Sequence, residues 1–334
     1  MAAVAISRLA ERRRVLRCTP SKTELPKARL DPAWADRDNG LDLNHVKGLT
    51  MLDRSIDRIT RIPPLARGFG GERHLAALVV APGDLPATDP FFLMADDHIT
   101  QAGGFGEAHP HAGLETVTFM LSGTMEDTGG RLEEGDVEWM TAGSGIVHAE
   151  HAVVSTGMRL FQLWLVLPEA QRNMPPRVQV LRRAAMPIHA EPGVVATVYS
   201  GRSGDAVAPA LNAVPVTLID IRLAPGALFD VQLPASYNGF VVVIEGEAAA
   251  GASAEKLANG MVGWTRPIGD GDSALGLRAG GTGARLLLYA GQPQNMDVVA
   301  KGPFIAASNE ELASYYSAYR QGKFPHAGMM RTVE

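Results

Sequence analysis

The sequence predicts an all-β protein built from two copies of one β domain and closed by a C-terminal helix. Three observations carry that reading: short apolar runs cut by turn residues, abundant glycine and proline, and a related strand-turn-strand string in each half. The 334 residues include 36 Gly and 22 Pro, which suits a turn-rich β fold better than a helical one. Apolar residues make up 46% of the chain, enough for a sizeable core.

Residues 1–65 are polar and irregular and are read as an N-terminal extension. Residues 1–17 set five arginines (Arg8, Arg12, Arg13, Arg14, Arg17) against one acid, Glu11. As a plain charge run this is a solvated arm; as a helix it would be an organellar targeting peptide. A cytoplasmic protein is expected, with organellar targeting as the alternative. The lone cysteine, Cys18, allows no intrachain disulfide and no thiolate zinc site. A net charge of −5 argues against direct nucleic-acid binding. No apolar run reaches the roughly 18 residues of a membrane span.

From about residue 70 the pattern becomes strand-like. Candidate strands are His74–Val80, Phe91–Met94, Glu115–Leu121, Val137–Met140 and Arg159–Leu167, with turn signals at 82–84, 122–124, 127–130, 133–136 and 142–145. A Pro-rich joint at Pro168 and Pro175-Pro176 precedes a second set: Val178–Leu181, Val194–Tyr199, Val216–Leu223, Phe240–Ile244 and Arg285–Leu288. YNGFVVVIEGEAAAG (237–251) echoes HAGLETVTFMLSGTMEDTG (111–129), a weak internal repeat. The expected domains are 66–173, 174–300 and a helical tail, 301–334. In the tail, Ser308 and Glu311 form a capping box, Leu312, Tyr315, Tyr316 and Tyr319 share a helical face, and Gly322 sits at C′.

Two strings carry the chemistry: His109-Pro110-His111 and, 37 residues on, His148-Ala149-Glu150. In a strand, residues i and i+2 point the same way, so each string offers two ligands to one side. Three imidazoles and one carboxylate suit iron, nickel, manganese or copper and leave positions open on a six-coordinate ion. Pro110 belongs on a strand edge, where a site can open. Glu115 is a rival carboxylate, four positions after His111. Glu107, Asp96, Asp97 and His98 read as solvent-facing loop residues. Trp139, Met140 and Phe119 are candidate pocket walls, or ordinary core. The second copy has no HxH; its only histidine across 170–300 is His189.

HPHAGLETVTFMLSG followed by GDVEWMTAGSGIVHAEH resembles the pirin family of bicupins. FQLWLVLP (161–168), MPPR (174–177), YNGFVVVIEGE (237–247), GQPQNMDVVAKGPF (291–304) and YRQGKF (319–324) extend the likeness over roughly 75–325. The resemblance implies two tandem cupin β-barrels with one metal in the first. It implies His109, His111, His148 and Glu150 as ligands, choosing Glu150 over Glu115, with Glu150 also accepting a substrate proton. The implied metal is Fe(II), with Ni, Mn, Cu or Zn as alternatives. The implied activity is a quercetin 2,3-dioxygenase-like cleavage of a small aromatic, flavonol-type substrate by dioxygen. The alternative is a metal-binding regulatory module, a transcription cofactor or enzyme regulator with a protein partner. A monomer without membrane contact is expected. Ala112, Leu114 and Ser144 replace a frequent Arg or Lys, Phe and Arg, and the Thr124–Glu134 hairpin is short; these positions are expected to flank the pocket mouth.

Overall fold

The computed structural model describes residues 51–101, 103–127, 130–152 and 157–329. The arginine-rich arm, Cys18 and the tip of the short hairpin lie outside them. Three main sheets form the body. A seven-stranded sheet runs Arg177–Leu181, Val137–Thr141, Leu114–Ser122, Met158–Val166, Phe91–Ile99, His74–Val80 and Ala66–Arg67. Facing it is a four-stranded sheet of Gly103–His111, Ile146–Ala152, Met125–Asp127 and Gly130–Leu132. The second half forms a ten-stranded sheet around Asn238–Ala250 and the 20-residue strand Asp272–Gly291. The all-β reading holds. His74–Val80 and Val216–Leu223 match their expected bounds, and most other strands run longer than read.

Period-2 alternation explains how the layers pack. On Leu114–Ser122, Val117, Phe119 and Leu121 join Trp139, Phe161 and Leu163 against Tyr199, Leu218, Phe240 and Leu287 of the ten-stranded sheet. The other face of the seven-stranded sheet meets the four-stranded one through Leu114, Met140, Trp164 and Ile146, and through Met120, Met125 and Leu160. Phe119 and Trp139 therefore belong to the core between the halves, not to a pocket wall; only Met140 faces the four-stranded sheet. The second half has its own aliphatic interior, including Val198, Ile219, Val231, Val243 and Leu286.

The echo between the halves ends in different structures. The first string breaks after Ser122 at Gly123 and returns as Met125–Asp127. The second continues through Gly246 as one bent strand, pairing with two stretches of Asp272–Gly291, at 277–279 and 284–291. Of the N-terminal extension, Leu52–Asp53 and Arg58–Arg61 add strands to the second half, away from the histidine strings. Arg54 between them is fully buried, its guanidinium donating to the hydroxyls of Ser273 and Thr265 and the carbonyls of Pro234, Tyr237 and Arg266.

The expected tail helix forms over Asn309–Arg320. Ser308 accepts the Glu311 N–H at 3.2 Å, while the Glu311 carboxylate reaches back to the Ala307 N–H at 2.7 Å, one residue earlier than a regular box. Gly322, at φ +68°, ends the helix with Gly322 N–H to Tyr319 C=O and Lys323 N–H to Ala318 C=O, a Schellman pair. Leu312 and Tyr315 are buried, whereas Tyr319 is 38% exposed and lies at the margin of the stripe. Among the described residues no helix is long and apolar enough to cross a membrane.

Candidate metal centre

The two ligand strings pair antiparallel, with His148 opposite His109 and Ile146 opposite His111. Opposed residues share a face, so all three imidazoles project to one side. Gly103–His111 is an edge strand, as Pro110 requires. Val147 opposite Pro110 turns its N–H outward, where the Pro325 carbonyl accepts it at 2.9 Å.

His109, His111 and His148 form a group able to hold a metal ion, with one ligand atom from each within 4.8 Å of the others. The His109 and His148 Nε2 atoms are 3.1 Å apart. Two metal–imidazole bonds of about 2.1 Å at right angles would span about 3.0 Å, so the spacing fits a shared ion. The Glu107 carbonyl lies 2.8 Å from His109 Nδ1. A carbonyl can only accept, so Nδ1 carries the proton and Nε2 keeps its lone pair for the cluster. His111 is buried, and its Nδ1 makes no hydrogen bond, as a buried nitrogen awaiting a ligand would. Burial first, then the charges of His109 and His148, hold His111 well below the usual histidine range, against the pull of the Pro303 carbonyl. Neutral imidazoles are the form that binds metal.

Glu150, the fourth predicted ligand, is buried nearby but is not in the three-histidine group. The register shifts between His148 and Glu150, so that Glu150 opposes Gly106. A bulge of this kind re-aims side chains, and strict alternation cannot anticipate it. The Glu150 carboxylate accepts the Gln162 amide N–H at 3.1 Å. Glu115 is committed elsewhere. It accepts from Thr141 Oγ1 at 2.6 Å and from the Ala213 and Val214 N–H groups at 3.0 and 3.1 Å. Facing the second half, it ties a loop rather than a metal, and burial lifts its pKa against those three donors.

Several expectations about the surroundings change. Asp96 and Asp97 are not solvent-facing; both are buried on Phe91–Ile99. Asp96 binds Arg159 through paired 2.9 Å contacts and meets His98 at 3.0 Å, while Asp97 lies 2.7 Å from His74 Nε2. These charges could be buried because each has a partner. Ala112 and Leu114 are fully buried and do not line a mouth; Ala112 packs beneath the tail with Phe304, Leu312 and Tyr315. Ser144 is exposed on the turn before the second string.

The tail backs both ligand strands. The Ile305 N–H donates to the Ala112 carbonyl at 3.1 Å, and Phe324 seats on Gly145. A Cβ on Gly113, at φ +76°, would fall 1.8 Å from the Ile305 carbonyl oxygen, so only glycine admits the tail there. Buried Arg172 anchors the helix through Glu311 at 3.0 Å, and Tyr315 donates to the same carboxylate at 3.0 Å. Sequence reading missed Trp164, whose ring meets His111 edge-on at 5.1 Å, and Gln162. They stand two apart in FQLW, and the alternation that grouped the histidines would have paired them too.

Comparison with known proteins follows the same outline. A family model described as Pirin matches residues 80–165, and one described as Pirin C-terminal cupin domain matches 218–325. A "Pirin-like protein" of Solanum lycopersicum is 33% identical over 251 residues, covering 72% of this chain and 83% of that protein. "Pirin" of Homo sapiens is 30% identical over 248 residues, covering 72% of this chain and 84% of its own. A crystal structure titled quercetin 2,3-dioxygenase from Acinetobacter baumannii superposes with a TM-score of 0.71 at 25% identity, covering 82% of this chain and 99% of that one.

Proposed function

The chain belongs to the pirin family, and from that premise we propose that it is a metal-dependent dioxygenase acting on a flavonol-type substrate. The observation that carries the proposal is the convergence of three imidazoles, with two Nε2 atoms 3.1 Å apart. The likeness to a quercetin 2,3-dioxygenase structure supports the substrate class. A bound divalent ion, Fe(II) first and Ni, Mn, Cu or Zn as alternatives, would supply the centre at which the substrate's oxygens and dioxygen meet.

The protein's own groups do the rest. His109, His111 and His148 would hold the ion without cancelling its charge, and Glu150 would add the one anionic ligand. Glu150 also accepts the proton of the substrate's enolic hydroxyl, the role its buried carboxylate suits. Trp164 packs against His111 and fixes that ring's plane. The buried side chains Leu114, Met140 and Ile146 keep the interior behind the ligands dry.

The test is oxygen uptake and loss of quercetin absorbance under air, with bound metal quantified. His148→Ala and Glu150→Ala should each lower turnover by about 10²-fold or more. Metal-replete protein that consumes no oxygen across a panel of flavonols and catechols would overturn the reading. It would leave the regulatory-module alternative, which a redox-dependent partner would then support.

A further inference from the structure

A row of polar side chains crosses the inner face of the seven-stranded sheet and ends at the metal centre. Glu138, Thr118 and Gln162 lie opposite one another on three adjacent strands, Glu138 with Thr118 and Thr118 with Gln162. Opposed residues in antiparallel pairs share a face, and this face looks toward the four-stranded sheet. The contacts are directional. Thr118 Oγ1 donates to Gln162 Oε1 at 3.1 Å, and Gln162 Nε2 donates to Glu150 Oε1 at 3.1 Å. Thr118 and Glu150 are each 2% exposed, so the two ends of the row are shielded from water, while Gln162 between them is half-buried.

The orientation of the amide matters. An ionised carboxylate can only accept, so Gln162 turns its N–H to Glu150 and its oxygen to the threonine hydroxyl. An N–H donor matches an ionised carboxylate, the form a metal ligand must take. The bulge after His148 leaves Glu150 off the regular alternation that aligns the histidines, so its direction has to be set by something else. Gln162, which donates to its carboxylate, is in place to set it.

We propose that Gln162, itself held by Thr118, is the positioning residue of this centre: it fixes the Glu150 carboxylate beside the three imidazoles. The proposal rests on the reading of His109, His111, His148 and Glu150 as a metal site. It assigns Gln162 no contact with the metal. Its effect runs through Glu150.

The test uses Co(II), whose visible absorption reports ligand number and geometry. The full chain is titrated as wild type, Gln162→Leu, Thr118→Val, Glu150→Ala and the Gln162→Leu/Glu150→Ala double variant. Gln162→Leu should weaken Co(II) binding about 10-fold or more and change the spectrum toward that of Glu150→Ala. Thr118→Val, which keeps the shape and removes the hydroxyl, should act in the same direction by a smaller factor. In the Glu150→Ala background, Gln162→Leu should change nothing further, because a positioning residue has nothing left to position. Near-wild-type thermal melts and circular dichroism for Thr118→Val keep the comparison free of misfolding.

Two results would overturn the proposal while leaving the metal site standing. One is wild-type Co(II) affinity and spectrum in both Gln162→Leu and Thr118→Val. The other is an effect of Gln162→Leu that persists in full without Glu150, which would make it packing alone. A wild-type chain that takes up no Co(II) would overturn the metal reading, and the proposal with it.

Discussion

The two halves of the molecule solve one packing problem with opposite interiors. In the second half, Asn238–Ala250 and Asp272–Gly291 run unbroken through their bends, and their inward positions are filled by Val241, Val243, Ala248, Leu286 and Leu288. In the first half the corresponding layer is a separate four-stranded sheet with a proline on its edge strand and a bulge beside its carboxylate. Its inward positions carry three histidines and Glu150. The difference teaches where a β-sandwich can keep a polar site. Continuous strands, even with the register shifts that Asn238–Ala250 makes after Val243 and Gly246, favour an aliphatic fill, whereas short strands with a free edge leave room for ligands, provided another element restores the lost packing. Here that element is the C-terminal tail.

The tail offers the strongest way to break the comparison. Phe304, Ile305, Leu312, Tyr315 and Phe324 are buried on or near the backs of the ligand strands. At about 1.5–3 kcal/mol for each buried side chain, five such groups rival the whole stability of a domain, about 5–15 kcal/mol. A chain ending at Lys301 should therefore lose amide protection across Gly103–His111 and Ile146–Ala152 and lose metal binding. Protection of Asn238–Ala250 and Asp272–Gly291 should persist. Hydrogen exchange read by mass spectrometry checks this, and equal loss in both halves would show that the tail supports the whole molecule.

Arg54 gives the converse experiment. Its guanidinium satisfies five oxygen acceptors of the second half, and burial brings its pKa down to about 10, with Asp57 opposing. Arg54→Met keeps the aliphatic bulk and strands those acceptors, at a cost of about 2–4 kcal/mol. Denaturant midpoints should fall by that amount while Ni(II) affinity, measured by calorimetry, stays at the wild-type value. A drop in metal affinity would mean that the halves are energetically coupled.

The fold class was legible because alternation and turn residues act locally. The strings HPH and HAE, and the capped tail helix, were legible for the same reason. What stayed hidden depends on contacts distant in sequence. The burial of Asp96 and Asp97 needs Arg159 and His74, and the role of Glu115 needs the backbone of Ala213 and Val214. The family resemblance puts Ala112 at the pocket mouth, where an Arg or Lys is frequent; alternation turns it to the face opposite His111, where the tail covers it. The register shift between His148 and Glu150 is a β-bulge or irregularity, and nothing in His148-Ala149-Glu150 itself announces it.

Glu115 provides the mildest test, at the seam between the halves. Its carboxylate leaves the first half and receives two N–H groups from the loop that enters the second. Burial raises its pKa above the 4.5 of a free glutamate, and the Thr141, Ala213 and Val214 donors only partly offset this. The folded state thus holds this proton more tightly than the unfolded chain does. The stability so contributed is complete below the unfolded pKa and is lost as pH rises through the folded one. Carboxylates such as Asp96 and Glu311, whose pKa values are lowered, act with the opposite sign, so wild-type stability alone cannot isolate the effect. The difference between wild type and Glu115→Gln can. Urea midpoints from about pH 4 to about pH 7 should show wild type losing ground to the variant as pH rises. A difference that stays flat would mean the seam relaxes enough to solvate the carboxylate, and the two halves would then be less tightly joined than the buried clamp suggests.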